Sequence, residues 1–192
     1  MHKQKFWKII HTCVKRSKGD IELYEEQLEK QLNKLTIDNL IKWQLIFDEY
    51  HELSKSERLW AAAHLLNDGA SDDGFDYFRA WLISHGEDIF LKVVADPDTL
   101  GTLISADIEA LDEDFLGEFE EIMYVASYVY AEKTGDDDDE QFFNACEQFA
   151  LTDHEKKEIS QDVKLPEALE WDEDSDLALI FPQIAALKGE DA

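Results

Sequence analysis

The chain is short of cysteine, proline and basic residues, and these shortages exclude several classes of protein. Its 192 residues include two cysteines, Cys13 and Cys146, which lie far apart in helical patterns. Reduced, packed thiols are therefore expected rather than a disulfide or a zinc site. With three prolines there is no Pro-rich linker, and no internal repeat is visible. No apolar run approaches the roughly 20 residues that span a bilayer.

A signal peptide is also missing. Residues 1–18 carry six Lys or Arg and no acid, and their apolar residues are interleaved with polar ones. No continuous apolar core of a signal sequence therefore exists, and a cytoplasmic location is expected.

Motifs for catalysis or metal binding are equally scarce. The six histidines are scattered without an HExxH spacing, and no phosphate loop, GxGxxG or GxSxG is present. The acidic run 136–140 lacks the alternating ligands and central glycine of a calcium loop. With 45 acidic residues, close carboxylate pairs arise by chance. We therefore expect no cofactor, no metal and no enzyme activity.

What the chain does have is an unevenly distributed negative charge. Residues 1–66 carry eleven Lys or Arg against ten acids, whereas residues 67–192 carry seven against thirty-five, and the net charge is −27. Such a field attracts basic proteins and repels nucleic acid and anionic membranes. The composition thus predicts a basic protein partner, with no nucleic acid and no membrane.

The periodicity of apolar residues is helical throughout. They recur at steps of three and four over 21–35 and 40–50, and Thr36 is a start signal between the two segments. The longest pattern covers 111–129 and is closed by Gly135, which predicts one long helix. No alternating run is bounded by hairpin turns. The sequence therefore predicts an irregular all-α single domain of about eight to ten helices, with little or no sheet.

One segment, residues 67–86, combines a polar turn with an aromatic-rich helix. Ser71 or Asp72 would cap this helix, and Asp76 and Arg79 lie within helical reach of one another. Capping and core packing explain these residues on structural grounds alone. On the other interpretation, Asp72 and Asp73 at the start of the helix anchor a basic side chain of a partner.

Two further acidic runs lie toward the C-terminus. The first follows Gly135, and both a solvated helix start and a partner contact are open interpretations of it. The second follows Trp171 and precedes an apolar segment, 177–181, that we expect Pro182 to stop. We divide the chain into a helical domain, 1–135, and an acidic helical extension, 136–192, packed on the same core.

A family resemblance rests on the run LWAAAHLLNDGASDDGFDYFRAWLISHGEDIFLKVVADPDTL, residues 59–100. This run, with Phe6, Trp7, Glu121 and Tyr124, resembles the bacterial family called domain of unknown function 4240. SDDGFDYFRAWLISHG is its most specific part, and the likeness covers about residues 1–135. It implies a mostly helical bacterial domain without an assigned activity, whose members are sometimes found beside polymorphic toxins.

Three functions are compatible with these observations. The first is an immunity protein that binds and occludes the catalytic domain of a cognate toxin in a 1:1 complex, with an ADP-ribosyltransferase or nuclease as plausible target. The second is an acidic regulatory or adaptor protein that mimics nucleic acid on a basic partner. The third is an enzyme with a dispersed site made of Asp72, Asp73, Arg79 and His85. The candidate partner-binding residues are Asp72, Asp73, Asp76, Asp136, Asp137, Asp138, Asp139, Glu140, Asp172, Glu173 and Asp174.

Overall fold

The computed structural model describes residues 1–103, 117–135, 139–172 and 174–189. The first six α-helices are α1 (Lys3–Ser17), α2 (Ile21–Leu32), α3 (Ile37–Leu53), α4 (Glu57–Leu66), α5 (Asp72–Ser84) and α6 (Glu87–Ala95). A 3-10 turn, Pro97–Thr99, leads into α7 (Leu100–Leu103), and a second, Glu121–Met123, precedes α8 (Val125–Thr134). The C-terminal helices are α9 (Asp139–Phe149), α10 (Asp153–Ser160), α11 (Leu177–Ile180) and α12 (Pro182–Lys188).

The predicted all-α single-domain fold is confirmed, since these ranges contain helices and no strand. These ranges hold twelve α-helices, more than the eight to ten predicted, and two of them, α7 and α11, have only four residues. Within the described residues, no helix is both long and apolar enough to cross a bilayer.

Local start and stop signals act as the sequence predicts. The side chain of Thr36 accepts a hydrogen bond from Asn39 N at the start of α3, and Ser71 does the same for Gly74 N at the start of α5. Gly135 ends α8 in the left-handed conformation at φ 72°. These residues satisfy backbone groups that helix ends leave without intrahelical partners.

The prediction of one long helix ending at Gly135 is wrong over residues 117–124, which are not α-helical. The first part of that predicted helix, residues 111–116, lies outside the described residues. Gly117 has a φ of +79°, and a Cβ there would come within 2.9 Å of the Phe78 ring. Phe119 N donates to the backbone oxygen of Tyr77, 3.3 Å away, rather than to its own helix. Packing on α5 therefore replaces the helical turn, and α8 begins only at Val125.

The centre of the core is a cluster of aromatic rings from α1, α3 and α6. Phe6 contacts Trp43 and Tyr50, and Trp7 contacts Tyr50 and Phe90, with ring centroids 4.8–5.8 Å apart. Burial of such rings is the largest apolar contribution of single side chains to stability. Both cysteines are buried and free, as predicted.

The C-terminal helices pack on this body. Helices α9 and α10 contact α3, while α12 contacts α4 and α7. As expected, the apolar segment stops before Pro182: α11 ends at Ile180, and Pro182 takes the first position of a new helix, α12, where its missing N–H is not needed. The division of the chain at residue 135 stays a prediction.

Candidate functional site

The loop before α5 is held rigidly by aromatic side chains. Trp60 Nε1 donates to the backbone oxygen of Ala70 at 3.0 Å, and Ala70 N donates to His64 Nδ1 at 3.3 Å. The Trp60 ring also stacks on Phe75, with centroids 5.1 Å apart. These contacts hold the loop and the first turn of α5 against α4.

Asp72 and Asp73 lie exposed in this first turn. Ser71 already caps the helix, so neither carboxylate is needed for the cap. Neither takes part in an ion pair among the described residues. The positive end of the helix dipole stabilises both negative charges where they are.

The third predicted acid on this helix, Asp76, has a structural role instead. Its carboxylate pairs with Arg79, whose side chain is 3% exposed and also donates to the backbone oxygen of His51. The guanidinium lies over the Phe75 ring, 4.9 Å from its centroid. Burial, and next the Arg79 charge, lower the pKa of His51. Asp76 therefore compensates a buried cation, as the structural interpretation of the sequence predicts.

The dispersed enzyme site is not assembled. Asp72 begins α5 and His85 follows its end, about 20 Å away along the helix axis. Arg79 points into the protein between them. His85 Nδ1 lies 3.0 Å from the backbone oxygen of Trp81, and its ring contacts the Trp81 ring. These residues therefore do not converge on one reacting atom.

The structure adds acids that sequence reasoning missed. A Cβ at Gly74 would lie 3.3 Å from Glu118 Oε1, so Glu118 lies beside the first turn of α5. Partial burial, then the hydrogen bond to Glu120, then the charges of Glu120 and Asp73, raise the pKa of the Tyr77 phenol. Only the docking of residues 117–120 on α5 brings these acids together. The sequence offered no local signal of it.

We call this group the α5 surface: Asp72, Asp73, Tyr77, Glu118, Glu120 and Tyr124. Tyr124 is 36% exposed and lies close enough to influence the pKa of Tyr77. The negative charge extends beyond the surface to α2. Partial burial, and next the charges of Glu121, Glu29 and Glu22, raise the pKa of Glu25. Among the described residues, the acids of the α5 surface take part in no ion pair with a Lys or Arg.

The comparison with protein families bears on this region. A family model described as "Protein of unknown function (DUF4240)" matches residues 1–132.

The chain belongs to the DUF4240 family.

No curated protein and no solved structure matched it. The whole of the α5 surface lies in the part that the DUF4240 model matches, whereas the acids after residue 132 lie outside it.

Among those later acids, Asp172 and Asp174 lie exposed in a turn where Asp172 accepts from Asp174 N at 3.1 Å. Asp172 and Asp176 line a depression together with Asp68 of the loop before α5. Asp68 pairs with Lys188 of α12. The tail of this DUF4240 protein therefore brings its acids next to the loop that precedes α5.

The remaining acids that the sequence analysis named as partner-binding candidates lie either on another helix or outside the described residues. Glu140 lies exposed at the start of α9, which packs on α3 and α8. Asp136, Asp137, Asp138, Glu173 and the side chain of Asp139 lie outside the described residues. The described residues contain no group of three or more His, Cys, Asp or Glu arranged to hold a metal ion.

Proposed function

We propose that this DUF4240 protein is an immunity protein, an inhibitor that binds and occludes the catalytic domain of a cognate bacterial polymorphic toxin. The observation that carries the proposal is the α5 surface, where carboxylates outside any described ion pair and two tyrosines lie on the first turns of α5 and on the segment docked beside them. Asp72, Asp73 and the docked acids Glu118 and Glu120 present their charge without a cation of this chain beside them in the described residues.

The chemistry of the surface indicates the chemistry of the target. Toxins that act on nucleic acid or on NAD use basic residues to hold phosphate groups, so an acidic inhibitor is complementary to such a site. A nuclease or an ADP-ribosyltransferase is therefore the target class. The net charge of −27 speeds encounter with a basic enzyme, which matters because each unblocked toxin molecule does damage.

The two tyrosines of the α5 surface provide apolar contact area, which carboxylates do not. Exposed carboxylates mainly set the rate of association, whereas aromatic anchors buried in the complex set slow dissociation. Tyr77 and Tyr124 lie among the acids of the α5 surface, and both keep a polar hydroxyl at the tip of an apolar ring. The combination favours tight one-to-one binding of a basic protein.

Capture from a lysate of the native bacterium, with neighbouring genes expressed, tests the proposal. The surface variant carries Asp73→Asn, Glu118→Gln and Glu120→Gln, and a charge-matched control carries Glu147→Gln, Glu167→Gln and Glu170→Gln on exposed sites elsewhere. We expect the wild type and the control to retain one stoichiometric protein that is toxic when expressed alone. The surface variant is expected to lose it.

Two other results would contradict the proposal. If the protein retains housekeeping nucleic-acid-binding proteins that added nucleic acid displaces, it is the acidic regulatory or adaptor protein that mimics nucleic acid. If the surface variant retains the toxin as well as the control does, the α5 surface is not the interface.

A further inference from the structure

We propose that a groove between α1 and the end of α2 binds a small phosphate-bearing molecule, independently of the proposed inhibition. The groove encloses about 520 Å³, and Lys5, Lys8 and Lys34 line it with no acid among the lining residues. Lys5 and Lys8 lie one helical turn apart and so share a face of α1. In a chain of net charge −27, this is a local concentration of positive charge.

No carboxylate of the described residues forms an ion pair with any of the three lysines. Ion pairs within the described ranges use other lysines, such as Lys3 with Asp162 and Lys42 with Glu155. Lys5, Lys8 and Lys34 take part in none of them. Other lysines, such as Lys55 and Lys164, are also absent from these ion pairs, so what distinguishes the three is that they share one groove whose lining residues include no acid.

The position of Lys5 in the first turn of α1 is unfavourable for the helix itself. The first turn of α1 contains no acid, and His2 provides no side-chain cap. Free backbone N–H groups make a helix start positive, so nearby lysines destabilise it and an anion stabilises it. A phosphate in the groove would lie between these lysines and so relieve their repulsion.

A buried donor also lacks a partner here. Gln31 lines the groove, and its Nε2 is buried without a hydrogen-bond acceptor among the described residues. Its Oε1 accepts from Lys34 Nζ at 3.2 Å, which fixes the orientation of the amide because a flipped amide would bring two donors together. A buried unsatisfied donor is costly, and an anionic oxygen in the groove would satisfy it once the half-buried Gln31 side chain turns toward the ligand.

Size and surroundings favour a small ligand over a polymer. The volume lies within the range of small-molecule sites, roughly 300–1,000 Å³. Ile9 and Leu35 also line the groove, but each is 8% exposed, so recognition rests mainly on the charges of the phosphates. Charges are screened beyond about 8 Å at physiological salt, so a small anionic ligand in the groove is attracted by the lysines alone. A nucleic acid or a membrane is large enough to be repelled by the acidic surface of the rest of the protein as well. A nucleoside diphosphate fits these requirements.

Calorimetry of the full chain with ADP tests the proposal, with pyrophosphate, adenosine, a single-stranded oligonucleotide and anionic phospholipid vesicles as comparison ligands. The groove variant carries Lys5→Gln, Lys8→Gln and Lys34→Gln. Its charge-matched control carries Lys55→Gln, Lys157→Gln and Lys164→Gln, which are exposed and outside the groove.

We expect ADP to bind one-to-one, adenosine to bind far more weakly, and the groove variant to lose at least about tenfold in ADP affinity while the control changes less than twofold. The side-chain amide resonance of Gln31 should shift on ADP addition. If pyrophosphate binds as tightly as ADP does, the proposed site is supported and the phosphates alone account for its recognition of the ligand. Absence of ADP binding, equal loss in the control, or tighter binding of the oligonucleotide or vesicles would overturn the proposal.

Discussion

Asp98 is predicted to hold the last helix on the body, although 85 residues separate it from its partners. Its Oδ1 accepts from Gln183 N at 2.9 Å and from Ile184 N at 3.2 Å, and its Oδ2 accepts from Gln183 Nε2 at 3.0 Å. The carboxylate thus caps α12 from outside the helix. At Gly101 the backbones of α7 and α12 approach so closely that a Cβ would lie 2.2 Å from Gln183 O.

The size of the effect follows from these contacts. Replacement of a capping side chain costs about 0.5–2 kcal/mol, and hydrogen bonds to a charged group add about 1.5–3 kcal/mol when both partners stay buried. Because Asp98 is half-buried, we expect Asp98→Ala to weaken the docking of α12 by about 2 kcal/mol. Asp98→Asn keeps an acceptor for the backbone amides and should cost less than about 1 kcal/mol.

Native-state hydrogen exchange measures this docking directly. The amides of Gln183 and Ile184 should exchange about 30-fold faster in Asp98→Ala, since 2 kcal/mol corresponds to that change in the open population. Amides of α3 should keep their protection, because α3 does not depend on α12. Unchanged exchange at Gln183 and Ile184 would refute the role of Asp98 as a cap.

Three further predictions concern the core, the response to acid and the undescribed acidic run. Phe78 is fully buried, so Phe78→Ala should lower the free energy of unfolding by about 3–5 kcal/mol in urea titrations, and unchanged stability would show that the ring is dispensable. The hydrogen bond from Lys42 and those within the Thr152 cap lower the pKa of Glu155 to about 2, so its contribution is present above about pH 4.5 and lost as pH falls toward 2. The destabilisation of Glu155→Gln should accordingly shrink over that range in urea titrations at several pH values, and a constant difference would contradict the ion pair. A third variant reverses the charge of three acids, by Asp136→Lys, Asp137→Lys and Asp138→Lys. It should slow association with the captured partner in stopped-flow binding at low salt and leave thermal stability intact. An unchanged association rate would show that the run is only a solvated helix start.

The features that could be predicted from the sequence are those that depend only on residues close together in the chain. Thr36, Ser71 and Gly135 act within four residues of themselves, so the cap and stop signals they carry can be recognised locally. The pairing of Asp76 with Arg79, three residues apart, was predictable for the same reason.

What the sequence did not predict depends on contacts between distant segments. Phe119 and Ile122 fit a helical period, yet Phe119 is buried against Tyr24 and the chain there is bent by Gly117. Periodicity identifies the buried face but not its partner, so the arrival of Glu118 and Glu120 beside α5 could not be foreseen. The same limit hid the contact of Asp68 with Lys188, 120 residues apart.

The most direct test of the account is a growth assay in which the captured toxin is expressed with each form of this protein. The wild type and the Glu147, Glu167 and Glu170 control should restore growth, while the variant of Asp73, Glu118 and Glu120 should fail although it folds and accumulates normally. Full protection by that variant would contradict the claim that the α5 surface neutralises a toxin.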